Sequence, residues 1–223
     1  MYFLLHPITF INLLIARLST DQISFFASII FFVLLSFTLN HWFWKGLDQR
    51  VSNLANESKG GFLKNHAEDF ALFGNAVFHI IFSVLLALIY FFIKHQIGAV
   101  LSIFFALIFS WGLNRLVKII FRRERPKHIV SNVRRRLSFC YPSGHVMASI
   151  CVYFFSAVLL QTAVPFIPWY ILAFVICFFV VVSRIFLNHH FFTDILGGIA
   201  LGIFCLTISI YFYFFVELLG QEL

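Results

Sequence analysis

Residues 142–163 read PSGHVMASICVYFFSAVLLQTA, from Pro142 to Ala163. From Gly144 onward the run is apolar and long enough to cross a bilayer as a helix, which takes about 20 residues. Pro165 and Pro168 follow and mark a turn. The head of the run is of another kind. Proline is tolerated in a first helical turn and serine is a good N-cap, so Pro142-Ser143-Gly144-His145 reads as a helix start. It puts a histidine and unpaired N–H donors at one end of a membrane span.

Composition extends that reading to the whole chain. Of 223 residues, 61% are hydrophobic and 11% charged, and mean hydropathy is +0.96. A soluble domain carries about a quarter charged residues, so the chain is an integral membrane protein. The fold class expected is all-α: a polytopic bundle of six transmembrane helices plus a short N-terminal interfacial helix. The interfacial helix is placed at Met1–Leu18, which is broken by His6-Pro7. The spans are placed at about Ile23–Phe43, Phe70–Ile93, Ile97–Ile120, Gly144–Ala163, Trp169–Phe186 and Thr193–Leu218. Trp42 and Trp44 suit interfacial anchors. The polar connection Lys45–Asp69 is long enough for an amphipathic helix and a turn. One domain, 1–223, is expected. Six spans bring the 1–2, 3–4 and 5–6 connections to the same membrane face.

The chemistry lies between Lys118 and Asp194. Lys118 to Arg125 forms a basic cluster at the end of the third span. A basic loop beside a spanning helix is common, which accounts for Arg122, Arg123, Lys127 and Arg134–Arg136. It accounts poorly for Lys118, which sits within the helix end. At the fourth span, N–H groups at Ser143 and Gly144 and the positive helix end can cradle an anion. Gly144 has no side chain to block it, and His145 stands beside it. Before the sixth span, Arg184 can grip phosphate oxygens. His190 and Asp194 are four apart and share a face if helical; a carboxylate that accepts from one ring nitrogen leaves the other free to attack. His189 would point elsewhere. A metal site competes for two histidines and an aspartate, but the surrounding cations would repel a divalent ion, so no metal and no cofactor are expected. His79, inside the second span, has no motif around it and reads as a packed or polar-contact histidine. Cys151, Cys177 and Cys205 lie in apolar runs, and Cys140 has no metal or redox spacing.

Lys118, six residues, Arg125-Pro126; Pro142-Ser143-Gly144-His145; Ser183-Arg184, five residues, His190, three residues, Asp194. This set resembles the three-part signature of the type 2 phosphatidic acid phosphatases, or lipid phosphate phosphatases, which share a core with vanadium haloperoxidases. The resemblance implies that His190 is the nucleophile and forms a phosphohistidine, that Asp194 orients it, and that His145 protonates the leaving group. It assigns Lys118, Arg125, Ser143, Gly144 and Arg184 to the phosphate.

The function implied is a metal-independent phosphatase acting on a lipid phosphomonoester or pyrophosphate: phosphatidylglycerophosphate, phosphatidic acid, undecaprenyl pyrophosphate or a lipid A phosphate. A lipid phosphotransferase is the alternative, and a non-catalytic lipid carrier a third. The partners are the lipid substrate and the bilayer, with no nucleic acid. The cations fall mostly on the active-site side: Lys45, Arg50, Lys59, Lys64, Arg122, Arg123, Lys127 and Arg134–Arg136, against Arg17 and Lys94. The positive-inside rule would turn that side to the cytoplasm, whereas the family resemblance implies the periplasmic face of a bacterial inner membrane.

Overall fold

The computed structural model describes residues 7–58, 60–125 and 139–220. The start of the expected interfacial helix, Lys59, Pro126, Lys127 and Arg134–Arg136 lie outside the described residues. All regular structure within them is helical: α1 (Pro7–Thr38), α2 (Trp42–Glu57), α3 (Phe62–Asn65), α4 (Ala67–Leu72), α5 (Ala76–Phe92), α6 (Ile97–Phe121), α7 (Gly144–Ala163), α8 (Trp169–Phe186) and α9 (Phe192–Leu219).

The helix that opens with the Pro-Ser-Gly-His head is the centre of the molecule. α7 packs against α5, α6, α8 and α9, and residues on every side of it are buried, among them Met147, Cys151, Tyr153, Phe155 and Leu159. A helix apolar all round belongs in the interior. Met147, Cys151, Phe155 and Leu159 meet Ala99, Ile103 and Ala106 of α6 and Leu201 and Cys205 of α9, while Val146, Ile150 and Tyr153 form a second cluster with Ala173, Cys177 and Ile195. α9 comes close because of its glycines. A Cβ on Gly198 would stand 2.8 Å from Ser143 O, and one on Gly202 2.9 Å from Ile150 Cβ. The outer faces keep exposed apolar side chains such as Ile108, Phe92, Ile171 and Phe174, as lipid contact requires.

The chain is an integral, multi-pass membrane protein, but the six expected spans are not all reached. α6, α7, α8 and α9 are long and apolar enough to cross, and Gln22–Thr38 with α2 adds a fifth only if that pair, bent by 93°, is one span. α5, at 17 residues, is short for a crossing. The expected separation of an interfacial helix from a first span is corrected too. α1 is one helix of 32 residues, because nothing between Leu18 and Ile23 breaks a helix once Pro7 has taken its first position. The break comes at Leu39–His41, where His41 Nδ1 accepts the N–H of Phe43 and starts α2. Trp42 and Trp44 therefore belong to α2 and not to the end of the span. His79 is buried against Ser149 Oγ at 3.2 Å, a polar-contact histidine.

Candidate active site

Helix ends converge at one end of the bundle: the C-termini of α1, α6 and α8 and the N-termini of α5, α7 and α9, with α2 and α4 lying against them. Each signature segment is therefore a helix end. α6 stops after Phe121 because Arg122 takes a left-handed backbone, φ 46°. α8 stops at Phe186, and the loop behind it turns at Asn188, φ 50°. Asn188 Nδ2 donates to Ser52 Oγ at 2.9 Å and to Asn56 Oδ1 at 3.1 Å, so α2 holds that loop from outside.

Between these ends lies a cleft of about 380 Å³, lined by Arg125, His145, Arg184, His189 and His190, with Glu68 and Asn75 on the α4–α5 side. His189, expected to point elsewhere, lines the same cleft, since consecutive residues in a loop are not held to opposite faces. Arg125 Nη1 donates to His189 O at 3.0 Å, and Arg184 is almost wholly buried with Nε on Ser183 Oγ. Lys118 lies in the last turn of α6, near enough to Arg125 and His190 for its charge to act on both.

Ser143 differs from the sequence expectation. Ser143 N–H is donated to Asp194 O at 2.9 Å, so it is not open to an anion. It ties the α7 head to the first turn of α9 instead. What Ser143 keeps available is Oγ, buried and without a hydrogen bond. The side of Gly144 that a Cβ would fill faces Asn114 Oδ1 at 2.8 Å, so glycine here permits the approach of α6.

Asp194 is fully buried, in the first turn of α9. Its Oδ2 accepts Phe191 N–H at 2.9 Å and faces His190 Nδ1 at 3.5 Å. Nδ1 makes no hydrogen bond at that separation; such contacts are commonly long before substrate binds. Burial pushes the His190 imidazole down to about 4, with Asp194 opposing and Arg125 and Lys118 assisting. At neutral pH its ring is uncharged, the form a nucleophile needs.

Three residues at the site escaped the sequence reading. Arg123 Nη1 donates to Asp194 Oδ1 and to Thr193 Oγ1, both at 2.6 Å, and Nη2 to Asp48 Oδ2 at 2.8 Å. Asp48 also accepts Thr193 N–H and Oγ1–H, each at 2.9 Å. Burial opposes the charged form of Arg123, but Asp194 and Asp48 outweigh it and hold the group above its ordinary value. Arg123 looked like one more loop cation. Asp48 carried no signal beyond being an acid on an amphipathic helix.

The PAP2 superfamily model matches residues 99–217. Phosphatidylglycerophosphatase B of Bacillus subtilis (strain 168) is 40% identical over 96 residues, 41% of this chain and 46% of that protein, so the match spans less than half of the relative's length. The first transmembrane PAP2-type phosphatidylglycerolphosphate phosphatase from Bacillus subtilis solved as a crystal structure superposes with a TM-score of 0.74 at 26% identity, over 88% of this chain and 96% of that one. With the matched segment running over more than half of its length and containing every signature residue, the chain belongs to the PAP2 superfamily.

Proposed function

We propose that the protein is a metal-independent lipid phosphate phosphatase that works through a phosphohistidine, with a phosphatidylglycerophosphate-type lipid as its substrate. The observation that carries this is the gathering of His145, His190, Arg125 and Arg184 around one cleft at the end of the bundle. A neutral imidazole, a second histidine and fixed cations meet there. Phosphoryl transfer asks a protein mainly for positioning and for charge opposite the equatorial oxygens.

The steps follow from the placement. Arg125, Arg184 and Lys118 draw the phosphate oxygens, and Ser143 Oγ offers them a donor. His190 Nε2 attacks phosphorus, and the positive charge that develops on the ring is stabilised through Nδ1–H by the Asp194 carboxylate it faces. The P–O bond to the lipid breaks, and His145, made an imidazolium by the proton that the bound phosphate monoanion brings, gives that proton to the departing alkoxide. Water, deprotonated by His145, then attacks the phosphohistidine. The P–N bond breaks, releasing inorganic phosphate and neutral His190. The substrate's tails stay in the bilayer while its head reaches the cleft. We place the cleft at the periplasmic face of a bacterial inner membrane.

Purified protein in detergent with EDTA should release phosphate from phosphatidylglycerophosphate faster than from phosphatidic acid, undecaprenyl pyrophosphate or a lipid A phosphate. A quenched turnover with labelled substrate should leave acid-labile, base-stable phosphate on the wild type and none on His190→Ala. Folded protein that hydrolyses none of the panel refutes the proposal.

A further inference from the structure

We infer that Asp48 and Arg123 are positioning residues for phosphoryl transfer, a couple reaching from α2 to the first turn of α9 that holds Asp194, and through it His190, in the attacking geometry. The inference rests on the phosphatase reading above and adds to it two residues that are not signature positions.

The bonding is specific. Arg123 is partly buried, at 19% exposure, and does not line the cleft. Its two terminal nitrogens are occupied by protein acceptors, Thr193 Oγ1 and Asp194 Oδ1 on one and Asp48 Oδ2 on the other. It is directed at the carboxylate behind the nucleophile and not at substrate. Phe191, between His190 and the α9 helix, puts its ring 4.4 Å beneath the guanidinium. Arg123 itself leaves α6 just after the left-handed residue Arg122, and its carbonyl accepts Cys140 N–H at 2.9 Å, which fixes the backbone but not the direction of the long side chain. Asp48 supplies what is missing. With one oxygen it accepts Thr193 N–H, a donor that the start of a helix leaves without an intrahelical partner. With the other it takes Thr193 Oγ1–H and Arg123 Nη2. One aspartate, 145 residues earlier in sequence, therefore caps α9 and aims the guanidinium.

The couple has a catalytic consequence because Asp194 divides its two oxygens. Oδ1 belongs to Arg123, while Oδ2 serves Phe191 N–H and faces His190 Nδ1. An isolated buried carboxylate is costly, and a charge-assisted pair at this distance compensates it. Losing Arg123 would let Asp194 swing toward His190, change the direction of the ring and leave a negative charge answered by the imidazole alone.

The test is a kcat and KM measurement with its pH profile on Arg123→Gln, Arg123→Lys and Asp48→Asn, in the full-length protein in detergent. Histidine-ring NMR on the same variants follows the His190 midpoint without need of turnover. The charged and titratable groups around His190 are Asp194 on α9, His145 on α7, Arg184 on α8, Lys118 and Arg125 at and beyond the end of α6, the neighbouring His189, and Glu68 on α4 across the cleft. All remain in place in these variants. Arg123→Gln should lower kcat by about 100-fold, the cost of a catalytic group moved by about 1 Å, with KM within about threefold. Its His190 midpoint should rise by about one pH unit, since Asp194 would no longer share its charge with a guanidinium. Arg123→Lys should recover part of kcat and restore the midpoint, and Asp48→Asn should fall between them. A raised KM with unchanged kcat would make Arg123 a substrate contact and overturn the inference. An unmoved midpoint with wild-type kcat per folded molecule would reduce the couple to a brace for folding and overturn it as well. If Arg123→Gln is not recovered folded, Asp48→Asn is read by the same criteria. A wild type inactive on the whole lipid panel would sink the phosphatase reading, while the NMR midpoints would still decide the couple.

Discussion

Gly74 is absent from any signature, yet it sits against the proposed general acid, and Gly74→Ala is the sharpest perturbation the fold offers. The residue is in the turn between α4 and α5, with its N–H on Ala71 O. Its backbone is not left-handed, so alanine adds a methyl group without conformational strain. That methyl would lie 2.8 Å from Val180 Cγ1 and 3.1 Å from both Cβ and Cδ2 of His145. Ordinary contact begins at 3.4 Å, so about 0.6 Å must be found on the Val180 side and about 0.3 Å on the His145 side. Val180 is fully buried in α8 and gives way poorly, so the imidazole takes much of the shift. A displacement of about 1 Å costs about 100-fold, and about half of that displacement corresponds to roughly tenfold, or about 1.4 kcal/mol in the barrier. The overpacking itself should cost about 1–3 kcal/mol of stability.

The assay separates these two effects. kcat/KM is measured on a lipid phosphomonoester, whose alkoxide needs its proton, and on p-nitrophenyl phosphate, whose leaving group does not. Gly74→Ala should lose about tenfold on the lipid and less than about threefold on the activated ester. Equal losses on both, or an unchanged lipid rate in protein shown to be folded, would refute the reasoning that Gly74 leaves room for a proton donor.

His145→Ala, which removes the donor outright, should lose roughly 10²–10⁴-fold on the lipid and clearly less on the activated ester; trapped phosphate on His145 would reverse the roles of the two histidines. The His190 ring, pushed down to about 4 by burial, should stay neutral from neutral pH to near pH 4 and protonate only below it. Ring resonances assigned by their loss in His190→Gln should titrate there, and a midpoint near 6.5 would contradict the burial. Glu68, exposed on the lip of the cleft that holds Arg125 and Arg184, opposes an incoming phosphate. Glu68→Gln should lower KM about two- to threefold at low salt and lose the effect at high salt, where exposed charges are screened. In intact cells, Asn65→Cys at the cleft end should react with an impermeant maleimide and Gln96→Cys at the opposite end should not, against a background of four buried native cysteines; the reverse pattern would turn the cleft to the cytoplasm.

Much of the helical frame was legible because apolar runs end in distinctive residues. Gly144–Ala163 and Trp169–Phe186 match the expected bounds, and α6 and α9 differ from theirs by single residues. Between them Pro165, Pro168 and the polar Asn188-His189-His190 loop leave little room for error. The bend after Thr38 was not legible, because Ile23 to Trp44 is mostly apolar and only the short polar Asn40-His41 step, with its cap by His41, divides it. Nor was the Arg123 couple. Periodicity reports which face of one helix is buried, whereas Asp48, Arg123 and Thr193 meet from separate elements and leave no mark in spacing. The motif residues could be named because their chemistry is unusual in an apolar chain, yet their work was only partly readable. Ser143 spends its N–H on Asp194, a bond invisible until α7 and α9 are packed.

That packing also bears on the charge asymmetry that argued for a cytoplasmic cleft. The positive-inside rule counts the lysines and arginines of short connections whatever acids lie near them, but several on this side also have structural partners that require them whichever way the chain is inserted. Arg123 is paired with two carboxylates, and Arg122 Nε donates to Ile119 O at the end of α6. Lys64 Nζ donates to Ala55 O and Ser58 O, satisfying carbonyls that the C-terminus of α2 leaves open, as a cation at a helix end does. Of the cations in the α2–α4 connection, Lys45 and Arg50 remain exposed, against Lys94 in the α5–α6 turn at the other end. Among the described residues the cations on this side that no structural role explains are therefore fewer than the sequence count, and they stand beside an active site whose own cations exist to bind phosphate. A cluster selected for substrate charge is a poor reporter of orientation, which is why the maleimide pattern, and not the arginine count, decides the face.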